Sequence, residues 1–314
     1  MEEQTQYTMP IKINKRKQEN RRYPTRERQP VGEWWKASAS YASVDKPESV
    51  ALCAMPCDPT SFKEAMESQE SEKWMEAIKQ EYDALMKHNV WELVTLPPGK
   101  TAIGSKWVLK TKYDSNGSIL RYKARLVAKG YSQKARVDYT DVFAPVVKHV
   151  SLRVILAHAA SMGWHVQQID VDTAFLYASV KEELYMHQPE GFEFTGATGN
   201  ILVCRLNKCI YGTKQASRNW HEMLRAVLTE VGFTQSLVDP GVFIHCMDGA
   251  QYILLVYVDD MIIVGPEIDW IEGFKSSIQD KFNIKDLGEA QWVLRIGLNI
   301  NQQKRSITTQ QTKY

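Results

Sequence analysis

The sequence predicts an α+β fold, and three features predict it. Apolar residues recur at helical spacing across residues 74–85. An Asn-Gly pair at 116–117 separates two extended segments, which is typical of a β-hairpin. Two short apolar runs, 252–256 and 261–264, flank a bend and predict a second hairpin. Because strands and helices do not alternate strictly, this fold class is favoured over a regular α/β repeat.

Residues 1–58 are predicted to form a disordered basic tail or linker. They are polar and Ser/Ala-rich in part, without sustained periodicity. Residues 1–30 hold eight Lys/Arg and four Glu, a net charge of +4. The basic clusters at 15–17 and 21–22 fit either a nuclear-import signal or a solvated linker.

The globular part is predicted to begin with helices. Ser61 and Glu64 have the spacing of a capping box, in which each residue binds a backbone N–H near the helix start. The apolar residues on one face of the helix that follows are Trp74, Ile78, Tyr82 and Leu85.

Further elements follow in order. Segments 106–113 and 118–128 are the predicted strands of the first hairpin. Ser151 is expected to cap a helix that runs through Met162. Leu152, Ile155, Leu156 and Ala159 are the residues expected to face inward from that helix. Two more helices are predicted at 214–231 and 268–282.

Composition limits the class of protein. The chain has 314 residues, enough to bury a substantial core, and a net charge of only +2. Five cysteines form neither a zinc-binding pattern nor an even disulfide framework, which indicates a reducing compartment. No apolar run has the length that a membrane span needs, so no membrane association is expected.

The acidic pair in the second hairpin is the most informative feature. Asp259 and Asp260 stand at the bend of Tyr257–Asp260, between two apolar runs that would hold them rigidly. An Asp pair at a bend is often only a solvated turn. However, the apolar strand predicted at 166–171 carries a third acid, Asp170, 89 residues before Asp259. Carboxylates held close together are stabilised by a divalent cation.

Six motifs in this order resemble the reverse transcriptase of copia-type LTR retrotransposons, over about residues 60–314. They are KWVLKTKYDSNGSILRYKARLVAKGYSQ at 106–133, QIDVDTAFL at 168–176, ELYMHQPEGF at 183–192, CRLNKCIYGTKQASRNW at 204–220, YVDD at 257–260 and KDLGEA at 285–290.

The resemblance implies an RNA-directed DNA polymerase with a right-hand fold. It places fingers at about 59–160, a palm at about 161–267 and the start of a truncated thumb at about 268–314. The implied partners are an RNA template, a DNA primer and deoxynucleotides. In such elements the tail joins integrase to reverse transcriptase within a polyprotein that also carries RNase H. The expected location is intracellular, in a cytoplasmic virus-like particle or the nucleus.

The resemblance also implies the metal site. Asp170, Asp259 and Asp260 match the residues that bind two Mg²⁺ ions, or Mn²⁺, with the Val171 carbonyl as a further ligand. Asp172 lies on the same predicted strand face as Asp170 and is expected to be a bystander.

Several residues match nucleotide-binding positions. Phe175 corresponds to the aromatic residue beneath the incoming sugar, although an ordinary core position is the alternative. Arg125 corresponds to a base- and triphosphate-binding residue, and a guanidinium suits both contacts. For Lys123, nucleotide binding and a solvated cationic face are equally good interpretations. By the same resemblance Gln215 is expected to line the nucleotide pocket, although a plain capped turn at 211–217 is an equally good interpretation.

Lys214, Tyr257 and Arg295 are the residues expected to contact template and primer. Ser217 replaces a proline usual in the family, and Arg295 replaces a glycine near the primer terminus. Arg295 could add a phosphate contact or could obstruct a position where only glycine fits. The alternative function is therefore a catalytically defective, nucleic-acid-binding remnant of such an element.

Overall fold

Helices and antiparallel strands are mixed along the chain in the computed structural model, which describes residues 57–114, 116–196 and 199–311. The helices are α1 (Phe62–Glu67), α2 (Ser71–Lys87), α3 (His149–Met162), α4 (Ala216–Glu230) and α5 (Ile268–Gln279). Short 3₁₀ helices lie at Gly130–Ser132 and Ala174–Tyr177. Residues 1–56 of the expected tail lie outside the described residues.

The strands of the first half are β1 (Trp91–Val94), β2 (Ala102–Ile103), β3 (Ser105–Tyr113), β4 (Ile119–Ala128), β5 (His165–Val171), β6 (Tyr185–His187) and β7 (Val203–Leu206). Those of the second half are β8 (Thr234–Gln235), β9 (Val242–Met247), β10 (Ala250–Tyr257), β11 (Asp260–Gly265), β12 (Ile284–Glu289), β13 (Trp292–Val293), β14 (Ile296–Asn301) and β15 (Ser306–Gln310).

The helical period near residue 74 is confirmed by α2, which buries Trp74, Ile78 and Leu85. The capping box forms only in half. The Ser61 hydroxyl accepts the Glu64 N–H at 3.2 Å, as predicted. The Glu64 carboxylate instead accepts the N–H and the hydroxyl of Thr60, each at 2.7 Å. Ser61 is therefore the N-cap, and only the contact of the Glu64 carboxylate is shifted by one residue, to Thr60.

The first hairpin is confirmed. Strands β3 and β4 pair antiparallel, and the Asp114 carboxylate accepts the N–H groups of Asn116 and Ser118 at 2.8 and 2.9 Å. Gly117 has φ +81°, a value that glycine adopts without strain.

The predicted cap at Ser151 is wrong. Helix α3 begins at His149, with Lys148 at the N-cap position, so Ser151 lies in the first turn. Its hydroxyl donates to the buried Asp239 carboxylate, which also accepts the Lys148 N–H at 2.9 Å. Asp239 lies 88 residues further along the chain, and local spacing cannot indicate such a contact.

A six-stranded sheet, with strand order β12-β5-β11-β10-β9-β8, is the centre of the fold. Helices α4 and α5 cover one face of this sheet, with a core that includes Trp220, Ile263 and Phe274. The other face packs against α3 and the sheet β13-β14-β15, through residues such as Leu156 and Ile262. The sheet is covered on both faces, so its strand ends are held rigidly.

The segment expected to begin a thumb lies partly within this core. Helix α5 buries Ile271, Phe274 and Ile278, and β12 pairs with β5 as an edge strand of the six-stranded sheet. A separate four-stranded sheet, in the order β1-β7-β6-β2, shares a third core with α2 and the β3–β4 hairpin. In the described part of the chain, no helix combines the length and apolarity needed to cross a bilayer.

The base of the first hairpin packs tightly against the loop before α4. Ala128 donates its N–H to the Tyr211 carbonyl at 2.8 Å. Gly212 has φ +90°, and a Cβ there would lie 2.2 Å from the Ala128 carbonyl oxygen. The close approach of the two backbones therefore requires glycine.

Gly212→Ala is expected to destabilise the protein by about 3 kcal/mol, because left-handed strain and overpacking act together. Gly249→Ala is the matched control, since Gly249 has φ +80° with no atom within 4 Å of the added Cβ. The control should lose only about 1 kcal/mol. Urea denaturation measures both, and equal losses would show that the close approach is unimportant.

Candidate active site

Three carboxylates lie together at one end of two neighbouring inner strands of the six-stranded sheet. Asp170 is near the end of β5, and Asp260 is the first residue of β11. These two strands pair antiparallel with Asp260 directly opposite Asp170, so both side chains lie on the same face. Asp259 occupies the turn that joins β10 to β11. The structure thus brings together the three acids that the sequence singled out.

Two hydrogen bonds from different elements hold this turn. Val171, at the end of β5, donates its N–H to the Asp259 carbonyl at 3.0 Å. The Trp220 indole of α4 donates to the Val258 carbonyl at 2.7 Å. Val258 has φ +59°, a left-handed conformation that is unfavourable for a β-branched residue. The peptide groups on both sides of Asp259 are therefore fixed.

The three acids repel one another. Burial raises the pKa of Asp170, and the charge of Asp259 raises it further, while Lys285 and Lys123 act in the opposite direction. Burial also raises the pKa of Asp260, followed by the charges of Asp259 and Asp170. The arrangement concentrates negative charge where a cation would relieve it. Among the described residues, no group of three or more His, Cys, Asp or Glu side chains converges closely enough to hold a metal ion by itself.

Asp172 forms an ion pair with Lys285 and accepts a hydrogen bond from Asn283 at 3.2 Å. Lys285 stands opposite Asp170 in the pairing of β12 with β5. No role for Lys285 was predicted from the sequence. Its register places a cation beside the acid cluster.

Arg125 and Phe175 both contact Tyr211. The Arg125 guanidinium lies 4.9 Å from the centre of the Tyr211 ring, and the half-buried Phe175 ring contacts that ring edge-on at 4.9 Å. Phe175 also packs against the core beneath the six-stranded sheet. The spacing of aromatic residues gave no signal for Tyr211, because it lies in a loop.

Lys123 and Arg125 lie on the same side of β4 and are both half-buried. Burial lowers the pKa of Lys123, and the Arg125 charge lowers it further. Glu81 of α2 is the acidic residue that faces them. It accepts the Leu126 N–H at 3.2 Å, and burial raises its pKa. This part of the hairpin has an excess of positive charge beside the acids.

The loop before α4 is fixed by a buried polar network. Gln215 is 1% exposed. Its amide donates to the Asp138 carbonyl at 2.9 Å and accepts from Gln133 at 3.0 Å. Lys214 donates to the Tyr139 hydroxyl at 3.1 Å, and its ammonium lies 4.8 Å from the centre of that ring. Gln215 therefore supports the loop from inside, whereas Lys214 lies on its surface side.

Residues 88–314 match the family model described as reverse transcriptase (RNA-dependent DNA polymerase). The chain belongs to the reverse transcriptase family. Its relatives are Pol polyproteins of retrotransposons, so the copia-type resemblance is confirmed.

Three relatives illustrate the range of similarity. The Pol polyprotein of transposon TNT 1-94 from Nicotiana tabacum is 41% identical over 82% of this chain and 19% of its own length. The Pol polyprotein of transposon RE1 from Arabidopsis thaliana is 36% identical over 76% of this chain and 17% of its own length. The truncated Ty1-A Gag-Pol polyprotein from Saccharomyces cerevisiae is 28% identical over 75% of this chain and 19% of its own length. The chain thus spans about a fifth of the length of these relatives.

The reverse transcriptase domain has a strained turn at the position where the resemblance led us to expect glycine. Leu294 and Arg295 form the two-residue connection between β13 and β14, with φ +46° and +68°. Such a hairpin turn favours Gly, Asn or Asp at both positions. Asp248 and Gly249, with φ +50° and +80°, form the turn between β9 and β10 with favoured residues.

Arg295→Gly is expected to raise the free energy of unfolding by up to about 1 kcal/mol, because relief of left-handed strain exceeds the entropy gained by the unfolded chain. Leu294→Gly is the control. It relieves similar strain but removes a side chain packed against the core, so it should destabilise. Urea denaturation measures both, and a loss of stability in Arg295→Gly would show that its interactions outweigh the strain.

Two further predicted positions have defined environments. Tyr257 is 38% exposed at the end of β10, opposite Asp260. Val171 is buried, and its backbone borders the acids. Trp220, Tyr211, Lys285 and Glu81 are the nearby residues that the sequence analysis missed. Trp220 and Tyr211 lie in the motif at 204–220 and Lys285 begins the motif at 285–290, so only Glu81 lacks a local signal.

Proposed function

We propose that this domain is an RNA-directed DNA polymerase that joins deoxynucleotides to a primer 3′-hydroxyl. The observation that carries the proposal is the placement of Asp170 and Asp260 opposite each other on paired strands, with Asp259 in the adjoining turn, in a sheet that is covered on both faces. Carboxylates in such a position stay close although they repel one another. Nucleotidyl transfer depends on this kind of rigid acidic site.

The donors are carboxylate and carbonyl oxygens, the type that a hard divalent cation prefers. Asp170, Asp259 and Asp260, with the Val171 carbonyl, would hold Mg²⁺, or Mn²⁺ in its place, and we propose two ions. The raised pKa values of Asp170 and Asp260 support this, since their charges lack full compensation within the protein. When bound, such ions lower the pKa of the attacking hydroxyl and stabilise the charge that develops on the phosphates.

The hairpin β3–β4 supports the binding of an anionic substrate. Lys112 stands directly opposite Arg121, and Lys123 stands opposite Lys110, which is ion-paired with Asp58 at 2.7 Å. Like charges in cross-strand positions destabilise a sheet, so this surface favours an anion. Arg125 lies over Tyr211 and presents a planar guanidinium that can stack on a base and bind phosphate. We assign the triphosphate to Arg125 and Lys123.

The remaining residues would align the substrates. Phe175 would lie beneath the sugar, supported by Tyr211. Lys214, Tyr257 and Arg295 would contact template and primer. Gln215 would act from within by fixing the loop that carries Lys214, since its amide is committed to backbone and side-chain partners.

The family names for the parts follow from this assignment. The β3–β4 hairpin and the four-stranded sheet would be the fingers, and the six-stranded sheet the palm. We extend the palm to α3, α5 and β12, because they pack on that sheet or join it. Integrase and RNase H segments of a parent polyprotein would be the partners, within a virus-like particle or the nucleus.

The alternative function, a catalytically defective nucleic-acid-binding remnant, is favoured by one observation. Arg295 occupies a left-handed turn position where relatives are expected to have glycine. Its bulk near the primer terminus would displace the 3′-hydroxyl, and a displacement of about 1 Å can cost roughly a hundredfold in rate.

Primer extension distinguishes the two functions. The purified chain is incubated with an RNA template, a labelled DNA primer, deoxynucleotides and either Mg²⁺ or Mn²⁺. Template-directed addition, even of a few nucleotides, supports the polymerase. Binding of the primer–template without any addition, by both the wild type and Arg295→Gly, would support the remnant.

A further inference from the structure

We propose that Trp220 is a positioning residue that holds the Asp259 turn in its metal-binding conformation. The inference rests on the proposed function, since it concerns the same acidic site. It assigns to a buried aromatic residue of α4 a role beyond filling the core.

The turn needs an external constraint. Val258 is β-branched and has φ +59°, a conformation that normally costs on the order of 1–2 kcal/mol and persists only where surrounding contacts impose it. Tyr257 and Asp260 close the hairpin, and of the two residues between them Val258 carries the strain. Asp259 is one of those two, and any relaxation of Val258 would move its carboxylate.

Trp220 supplies the constraint from outside the hairpin. Its indole N–H donates to the Val258 carbonyl at 2.7 Å. That bond fixes the peptide group that joins Val258 to Asp259. The following peptide group is fixed separately by the N–H of Val171 at 3.0 Å. The backbone of Asp259 is thus held by α4 on one side and by β5 on the other.

The Trp220 ring is itself immobile. It is 1% exposed and contacts the Phe282 ring edge-on at 5.0 Å. Tyr177 lies 6.3 Å from Trp220 and 5.1 Å from Phe282, and its hydroxyl accepts the Asn283 N–H at 2.8 Å. These rings connect the turn to the start of β12, so the indole donor has a fixed position.

Trp107 provides a matched control. It is also buried, at 3% exposed, and its indole N–H donates to a backbone carbonyl, that of Glu190, at 2.9 Å. It lies in the core shared with the four-stranded sheet rather than in the core beneath the acids. Substitution of either Trp by Phe removes one indole donor and part of one ring.

The test measures Mn²⁺ binding without polymerisation. The melting temperature of the full chain is followed by circular dichroism while Mn²⁺ is titrated, and the half-saturating concentration is compared among variants. Trp220→Phe should raise it about tenfold or more, as substitutions behind metal ligands typically do. Trp107→Phe should leave it within about twofold, even though both variants melt earlier without metal.

A second variant separates turn geometry from core packing. Val258→Asn places at the strained position a residue that tolerates φ > 0. Added to Trp220→Phe, it should recover part of the Mn²⁺ affinity without restoring the lost ring.

Three results would overturn the proposal. The first is that Trp220→Phe binds Mn²⁺ as tightly as the wild type does. The second is that Trp220→Phe loses its cooperative melting transition while Trp107→Phe keeps it, which would show that Trp220 is needed only for folding. A wild-type protein with no Mn²⁺ response and no primer extension would overturn the proposed function as well. If Mn²⁺ stabilises the wild type and Trp220→Phe at the same half-saturating concentration, only the positioning role is overturned.

Discussion

Asp259→Asn is expected to abolish primer extension, lowering the rate by on the order of a thousandfold or more, while the protein remains folded. The substitution keeps the shape of the side chain but removes one of the three charges at the strand ends. A rapid-quench assay of single-nucleotide addition at saturating Mg²⁺ measures the loss. Asp248→Asn is the matched control, because it makes the same change in the turn between β9 and β10. A near-normal rate in Asp259→Asn would contradict the site assignment.

The same substitution should stabilise the metal-free protein at neutral pH. The charge of Asp259 raises the pKa of both Asp170 and Asp260. A carboxyl whose pKa is raised by folding stabilises the protein in its protonated form, and that contribution is lost as the pH rises through the folded-state pKa. At neutral pH the charged cluster therefore costs stability, and Asp259→Asn relieves part of that cost. Urea denaturation with a metal chelator measures the free energy of unfolding of both proteins at neutral pH and near pH 4. The gain in Asp259→Asn over the wild type should be smaller at the lower pH.

Phe175→Ala is expected to increase the incorporation of ribonucleotides relative to deoxynucleotides, by roughly 10- to 100-fold. Removal of the ring would open space beneath the sugar, where a 2′-hydroxyl otherwise clashes. The ratio of kcat/KM values for the two nucleotides on the same primer–template measures the effect.

Phe192→Ala is the control for this selectivity change. Phe192 is a partly buried ring that stacks on Tyr82 at 4.2 Å in another core. Its loss should lower stability but leave the nucleotide ratio unchanged. An unchanged ratio in an active Phe175→Ala enzyme would return Phe175 to an ordinary packing role, which its contacts with the core also allow.

The sequence predicted those elements whose signals are local. The first hairpin could be predicted from its Asn-Gly turn, because only a few neighbouring residues form that turn. The apolar runs around Tyr257–Asp260 formed β10 and β11, and Asp170 paired with Asp260. The antiparallel alignment was foreseeable because both segments are apolar strands with acids at their ends.

Contacts between distant segments were not predictable in this way. Ser151 was assigned to a helix cap, but it binds Asp239 from a separate loop. Lys285 enters the site only through the register of β12 on β5. Gln215 lies in the expected motif, yet its amide faces Gln133 inside the protein. In each case the packing of whole elements decides which partner the residue contacts. The spacing of residues within one segment carries no information about that packing.

The most direct test of the central claim is the number of Mn²⁺ ions bound by a stalled complex. The protein is mixed with an RNA template, a chain-terminated DNA primer and the next deoxynucleotide, and free Mn²⁺ is measured by electron paramagnetic resonance during a titration. Asp172→Asn is the control, since Asp172 is paired with Lys285. We predict two tightly bound ions in the wild type and in Asp172→Asn, and fewer in Asp170→Asn. Equal numbers of tightly bound ions in Asp170→Asn and the wild type would contradict a metal centre built on these three acids.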